Sequence, residues 1–250
     1  MTERTGLGFR FFADGYEISG GINAIDEIGG GAAPLDYTAI NQNAMDRRLG
    51  IRNGRMGLKS FLDGDPDTAH DRLSAMSQSN QILTALAGST LGDPAACLQA
   101  KQANYDATRP QDGSFLFTTQ AQSSSTPLEW QELLTAGLRT DTAATNGTGV
   151  DFAAATNFGL QAFLQVTEFT GTDVTVKLQQ SSDNGATDAW ADVVGGSFAQ
   201  ITTDPQAQRI QTARNLAVER YLRVVTVTTG GFTSLSFVCT VAKNVVEVII

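Results

Sequence analysis

The stretch Val174–Gly185, VTVKLQQSSDNG, decides the fold class. Val174, Val176 and Leu178 alternate with Thr175, Lys177 and Gln179, and a cluster of turn formers then stops the run. A period of two with one apolar side is the pattern of a half-buried strand, and Ser-Ser-Asp-Asn-Gly is a turn. The same pattern recurs downstream. Phe158–Phe169 places Leu160, Ala162, Leu164 and Val166 on one face. Trp190–Val194, Phe198–Thr202, Tyr221–Thr228, Thr233–Ala242 and Val245–Ile250 follow as further strands, spaced as in a sandwich or jelly roll.

Upstream the pattern is mixed. Arg10–Tyr16 and Leu35–Ile40 read as short strands, with the Gly-rich stretch Gly29–Pro34 between them and a polar loop at Asn41–Gly50. Arg55–Leu62 alternates, with Met56, Leu58 and Leu62 on one face and Arg55 and Lys59 on the other. Thr68 and Asp71 have capping-box spacing, and Ala69, Leu73 and Met76 follow at helical spacing. Ile82–Leu86, Ala95–Lys101 and Ser114–Gln122 are further core segments. A Thr-, Ala- and Gly-rich run covers Asp141–Gly149. The reading is therefore mainly β: an N-terminal β domain over 1–140 with one short helix, a linker at 141–149, and a C-terminal jelly-roll or Ig-like β-sandwich over 150–250.

Composition limits the function. The 250 residues are 41% hydrophobic and 17% charged, which suits a packed core. Net charge is -9, and both halves are acidic: 11 basic against 17 acidic residues to Gly149, then 6 against 9. Such a chain lacks the basic surface that holds a phosphate backbone. Cys97 and Cys239 share no motif and read as buried free thiols. The first residues, MTERTGLGFRFFADG, hold no signal-peptide pattern, and no window approaches a membrane span. Synthesis in a cytosol, without membrane insertion, is the expectation.

Little in the chain has the outline of a catalytic or metal site. His70 is the one histidine, at the start of the short helix, and reads as surface. Asp63, Asp65 and Asp67 begin like a calcium loop, but the sixth position is Thr68 and the twelfth Ser74. Gly88–Gly92 has the frame of a nucleophile elbow with Thr90 at the serine position, and reads as a turn. No enzyme activity and no cofactor are expected. Arg47, Arg48, Arg52 and Arg55 form the one local basic cluster, suited to pairing with carboxylates within the subunit or on a neighbour. SSDNG, Trp190, Asp192–Val193 and Arg220–Val224 resemble strand signatures of discoidin-like jelly rolls, many of which bind carbohydrate. Trp190 and Tyr221 are then glycan-contact candidates; alternatively they pack the core or its rim.

The first half resembles the tail tube (major tail) proteins of long-tailed, siphovirus-type bacteriophages. LDYTAINQNAMDRRLGIRNGRMGLKSFLD, Leu35–Asp63, resembles that family's strand, long loop and second strand, and AHDRLSAM its short helix. LGDPAACLQAKQANYDATRPQDGSFLFTTQAQSSSTPLEWQELLTAG, Leu91–Gly137, is similar to its later strands. The resemblance implies a structural virion protein, made in the host cytoplasm, whose β subunits close into hexameric rings that stack as a tube for DNA ejection. It implies partners: other copies of the chain, tape-measure, tail-terminator and distal tail proteins, and DNA that passes without specific binding. It places inter-subunit or ring-stacking contacts at Asn41, Gln42, Asn43, Asp46, Arg47, Arg48, Arg52 and Arg55. The alternative from a different class is a carbohydrate-binding or adhesion β-sandwich protein of a phage or bacterial surface.

Overall fold

The computed structural model of the chain describes residues 6–246. Strands hold 53% of the residues, with one short α-helix, so the class is mainly β. The first strands are β1 (Arg10–Ala13), β2 (Tyr16–Glu17), β3 (Ile22–Gly29), β4 (Ala32–Asp36), β5 (Arg47–Arg52) and β6 (Arg55–Phe61). Helix α1 (Ala69–Ser74) precedes β7 (Gln81–Leu86), β8 (Pro94–Thr108), β9 (Leu116–Ser123), β10 (Glu129–Leu133), β11 (Arg139–Asp141) and β12 (Val150–Asp151). The last are β13 (Leu160–Gly171), β14 (Thr175–Ser181), β15 (Ala191–Ser197), β16 (Gln206–Gln211), β17 (Tyr221–Val227) and β18 (Phe232–Lys243).

Contacts divide the chain into two compact units. One holds the chain up to Ser19, Thr84–Cys97 and Trp130 onward; the other holds Gly20–Leu83 and Leu98–Glu129. The units follow contacts rather than chain order.

In the first unit, β12, β17, β14 and β15 form one sheet in that order. β13 lies between β16 and β18, which also pairs β10 and β11. Leu160, Ala162, Leu164 and Val166 of β13 alternate into a single buried cluster with Val176 and Leu178 of β14 and with Leu222 and Val224 of β17. This is the sandwich that the alternation predicts, because a pleated strand puts every second side chain on the core face. The SSDNG turn is present: Asn184 and Gly185 have φ of 64° and 79°. The Asp183 carboxylate accepts the N–H groups of Ala186, Thr187 and Asp188. The Asp141–Gly149 run is hydrogen-bonded along β17: Thr226 N–H donates to Thr145 O, and Gly147 N–H to Val224 O. Cys97 and Cys239 are buried thiols with no disulfide between them, and the Cys97 Sγ is 3.2 Å from Thr240 Oγ1.

In the second unit, β3, β6, β9 and the Leu98–Thr108 part of β8 are antiparallel neighbours in that order. Met56, Leu58, Phe117 and Ala121 are buried. β4 and β5 form a separate two-stranded ribbon.

Several boundaries differ from expectation. Arg10–Tyr16 is two short strands, because Asp14 and Gly15 both take positive φ (49° and 89°) and close a tight hairpin. The expected loop Asn41–Gly50 gives way to strand at Arg47, its first six residues remaining irregular, and the expected strand Leu35–Ile40 lies earlier, at Ala32–Asp36. Thr68 makes no side-chain cap; its hydroxyl donates to the carbonyls of Asp63 and Asp65 instead. Met76 lies beyond the helix at φ 43° and is exposed, and Leu62 is exposed past the end of β6. Phe198–Thr202 is not a strand; Ile201 makes one isolated bridge to Val174. Of the expected strand Val245–Ile250, Val245 and Val246 are bends and the remainder lies outside the described residues.

Candidate functional site

The β4–β5 ribbon is the surface with the strongest functional signature. It continues the β3–β6 pair, whose last rung is Gly29↔Arg55, and its own rungs include Leu35↔Arg48 and Asp36↔Arg47. At its root the chain crosses Leu128 through glycine: a Cβ on Gly30 would lie 2.9 Å from the Leu128 Cβ. The tip is built from polar groups. Asp36 accepts the Thr38 N–H at 2.9 Å, Thr38 Oγ1 accepts the Asp46 N–H at 2.9 Å, and Gln42 Oε1 accepts the Ala39 N–H at 2.8 Å. Hydrogen bonds from Thr38, its side chain first and then its backbone N–H, hold the Asp36 carboxyl below the usual carboxylate range.

A polar-capped hairpin of this kind would ordinarily display polar side chains along its length. This one displays Leu35, Tyr37, Ile40, Met45, Leu49 and Ile51, all exposed, with Leu49 at 79% and Ile51 at 90%. A two-stranded ribbon with no third strand is marginal in water, and its apolar side chains gain nothing where they stand. Large apolar side chains left exposed on one short arm point to an interaction surface. Of this ribbon, the expectation of a polar loop at Asn41–Gly50 misses the strand that begins at Arg47. The alternation of Leu49 and Ile51 with Arg48, Gly50 and Arg52 is the signal available there.

The predicted arginines divide. Arg55 is engaged within the subunit, donating to Glu27 Oε1 from Nε at 3.0 Å and Nη2 at 2.6 Å. Arg48 lies over the Tyr37 ring at 4.6 Å, and Arg47 Nη2 is 3.1 Å from the Met45 sulfur. Among the described residues, no ion pair engages Arg47, Arg48 or Arg52. Residues 32–52 carry these three arginines against Asp36 and Asp46, a net of +1 in a chain of net -9. Asn41 and Asn43 are exposed at the tip, whereas Gln42 and Asp46 help to build it.

The other candidates are placed as follows. Trp190 carries the Arg223 guanidinium 4.5 Å over its ring, and a Cβ on Gly149 would stand 2.8 Å from that ring. Tyr221 pairs with Asp151 and Ser181 across the sheet, with Arg220 5.1 Å over its ring. His70 is half-buried, not surface: its Nδ1 is 2.8 Å from Tyr105 Oη and its ring 5.1 Å from that of Phe117. Asp65 N–H donates to Asp63 Oδ1 in the acidic loop, and no group of three or more metal-ligating residues converges among the described residues. Thr90 lies in the turn before β8, its N–H bonded to Asp93 Oδ2 at 2.9 Å. In the first unit a groove of about 520 Å³ is lined by Trp130, Glu132, Phe152, Phe158 and Lys243. Among the described residues no helix is long and apolar enough to cross a membrane.

No family model and no curated protein matches this chain. Three solved structures show distant likeness. A chain of the virion of a native gene transfer agent particle is 14% identical at a TM-score of 0.40, over 51% of this chain and 98% of that one. The SPP1 Dit protein, described as a paradigm of the hub adsorption apparatus in Gram-positive infecting phages, is 13% identical at 0.34, over 93% and 98%. A chain of the phage p2 baseplate in its activated conformation with Sr is 9% identical at 0.36, over 94% and 98%. Likeness at this level does not establish a shared fold.

Proposed function

We propose that this chain is a structural virion protein of a phage tail, polymerising as stacked rings, hexameric as in the family its first half resembles, into a tube through which DNA leaves. The observation that carries the reading is the β4–β5 ribbon: an arm with six exposed large apolar side chains and three arginines free of ion pairs among the described residues. Burying such an arm in a neighbouring copy removes apolar surface from water and gives its guanidiniums carboxylate partners. Desolvated charge-assisted bonds contribute about 1.5–3 kcal/mol each. The net charge of -9 supports passage of DNA without adhesion, the inverse of the counterion release that makes basic grooves hold it. Ring closure also removes sheet edges that would otherwise pair without limit.

Electron microscopy of the purified full chain tests this. Regular tubes, lost in Arg47→Glu/Arg48→Glu while circular dichroism stays unchanged, are the expected result. Normal tubes from that variant remove the arm from the interface.

A further inference from the structure

The second unit carries a surface of opposite character to the hairpin at the other end of the same sheet. β6 runs from Arg55, at the root of the hairpin, to Phe61, which pairs with Leu116 at the start of β9. Those six steps span about 20 Å at roughly 3.3 Å per residue. At the far end three large apolar side chains, Phe61, Leu62 and Phe115, are exposed. Around them residues 61–67 and 106–115 bring Asp63, Asp65, Asp67, Asp106 and Asp112 against the single cation Arg109, a net of -4. Arg72, on α1, pairs with Asp67. One end of the sheet is therefore apolar and acidic, and the other bears an arm that is apolar and basic.

Resting on the reading of the hairpin as an assembly arm, we propose that the Phe61–Asp67 end of the sheet, with Phe115, is the receptor for the β4–β5 hairpin of a second copy of this chain. Charge selects this occupant. The acidic end repels nucleic acid and other acidic faces of the same chain, whereas Arg47, Arg48 and Arg52 complement it. Leu49 and Ile51 of the arm meet Phe61, Leu62 and Phe115, so both partners lose exposed apolar surface. Because arm and receptor lie at opposite ends of one sheet, the contact is head-to-tail and repeats without limit along one direction.

Two charge-reversed variants test this by sedimentation velocity across a range of concentrations. The hairpin variant is Arg47→Glu/Arg48→Glu, and the receptor variant is Asp63→Lys/Asp65→Lys. Each alone is expected to form nothing larger than a single ring where the wild type forms longer assemblies. Mixed in equal amounts, they are expected to co-assemble, since every junction then joins either the native pair of charges or the reversed pair. Leu62→Ser, at an exposed side chain outside any strand, is expected to shift wild-type assembly to at least tenfold higher concentration without altering circular dichroism. A receptor variant that assembles as wild type, or a mixture of folded variants that forms nothing longer than either variant alone, overturns the receptor and leaves the arm standing. A wild type that is monomeric throughout, or a hairpin variant that assembles normally, overturns both.

Discussion

A Cβ placed on Gly54 would lie 2.7 Å from the backbone nitrogen of Leu128 and 2.8 Å from the Cδ1 of Leu98. Residue 54 stands at the root of the hairpin, so this close approach sets where the arm leaves the sheet. Backbone cannot yield as a flexible side chain can. Gly54→Ala is expected to lose about 1–3 kcal/mol by overpacking. Gly31→Ala, where nothing lies within 4 Å, serves as the control and is expected to lose nothing. Urea denaturation of both variants checks this.

Gln165 is a buried polar side chain inside β13. Its Oε1 accepts the Gly15 N–H at 2.7 Å and its Nε2 donates to Thr84 Oγ1 at 3.0 Å. Gln165→Leu keeps similar bulk and leaves the buried Gly15 N–H without that acceptor. The expected loss is about 1–3 kcal/mol, the cost of an unsatisfied buried donor. Gln165→Glu retains an acceptor for Gly15 but faces Thr84 without an N–H. Denaturant midpoints should rank wild type above both.

Asp173 is 5% exposed and organises the turn after β17. Its carboxylate accepts the N–H of Thr229 at 3.1 Å, the N–H of Gly230, the Thr229 hydroxyl at 2.9 Å and Gln200 Nε2 at 2.8 Å. The Thr229 backbone bond leads these, and against the opposing cost of burial they pull the carboxyl down to about 2. A folded-state value below the unfolded one stabilises above the unfolded value, near 4. That stability is lost as pH falls from about 4 through about 2. Asp151 and Asp183 are lowered as well, so the whole-chain slope is not specific to one residue. The difference is: Asp173→Asn is expected to be less stable at pH 7 and to lose less between pH 4 and pH 2. Urea midpoints across that range measure it.

Leu49 and Ile51 touch solvent in the isolated chain, so their replacement should not unfold it. Leu49→Ser/Ile51→Ser is expected to stay within about 0.5 kcal/mol of wild type, as for surface changes generally. Its assembly should nevertheless fail. A large loss of monomer stability instead would show these side chains to be packed within the subunit.

The sequence by itself determined the β class and the core faces of its longest strands. Leu160, Ala162, Leu164 and Val166 could be assigned to one buried side because a pleated strand with one face in the core leaves a period of two in its residues. The turn at Asp183–Gly185 was equally legible, since few residues tolerate positive φ. The hairpin was not. Its large apolar side chains are exposed, so no pattern of burial identifies them, and the strand from Arg47 lies hidden in a polar segment. Strand β16, Gln206–Gln211, is mostly polar and half-buried up to Ile210, with no clean alternation, and only its rungs to β13 reveal it. Tertiary structure also decided that Gly15 packs against the backbone of Val166 and Gln206, residues more than 150 positions away. Such contacts depend on chain path, which local periodicity does not encode. The same holds for the opposed ends of the β3–β6–β9 sheet: Phe61 and the start of β9 come to one end only because β6 and β9 pair in the register that sets Phe61 against Leu116.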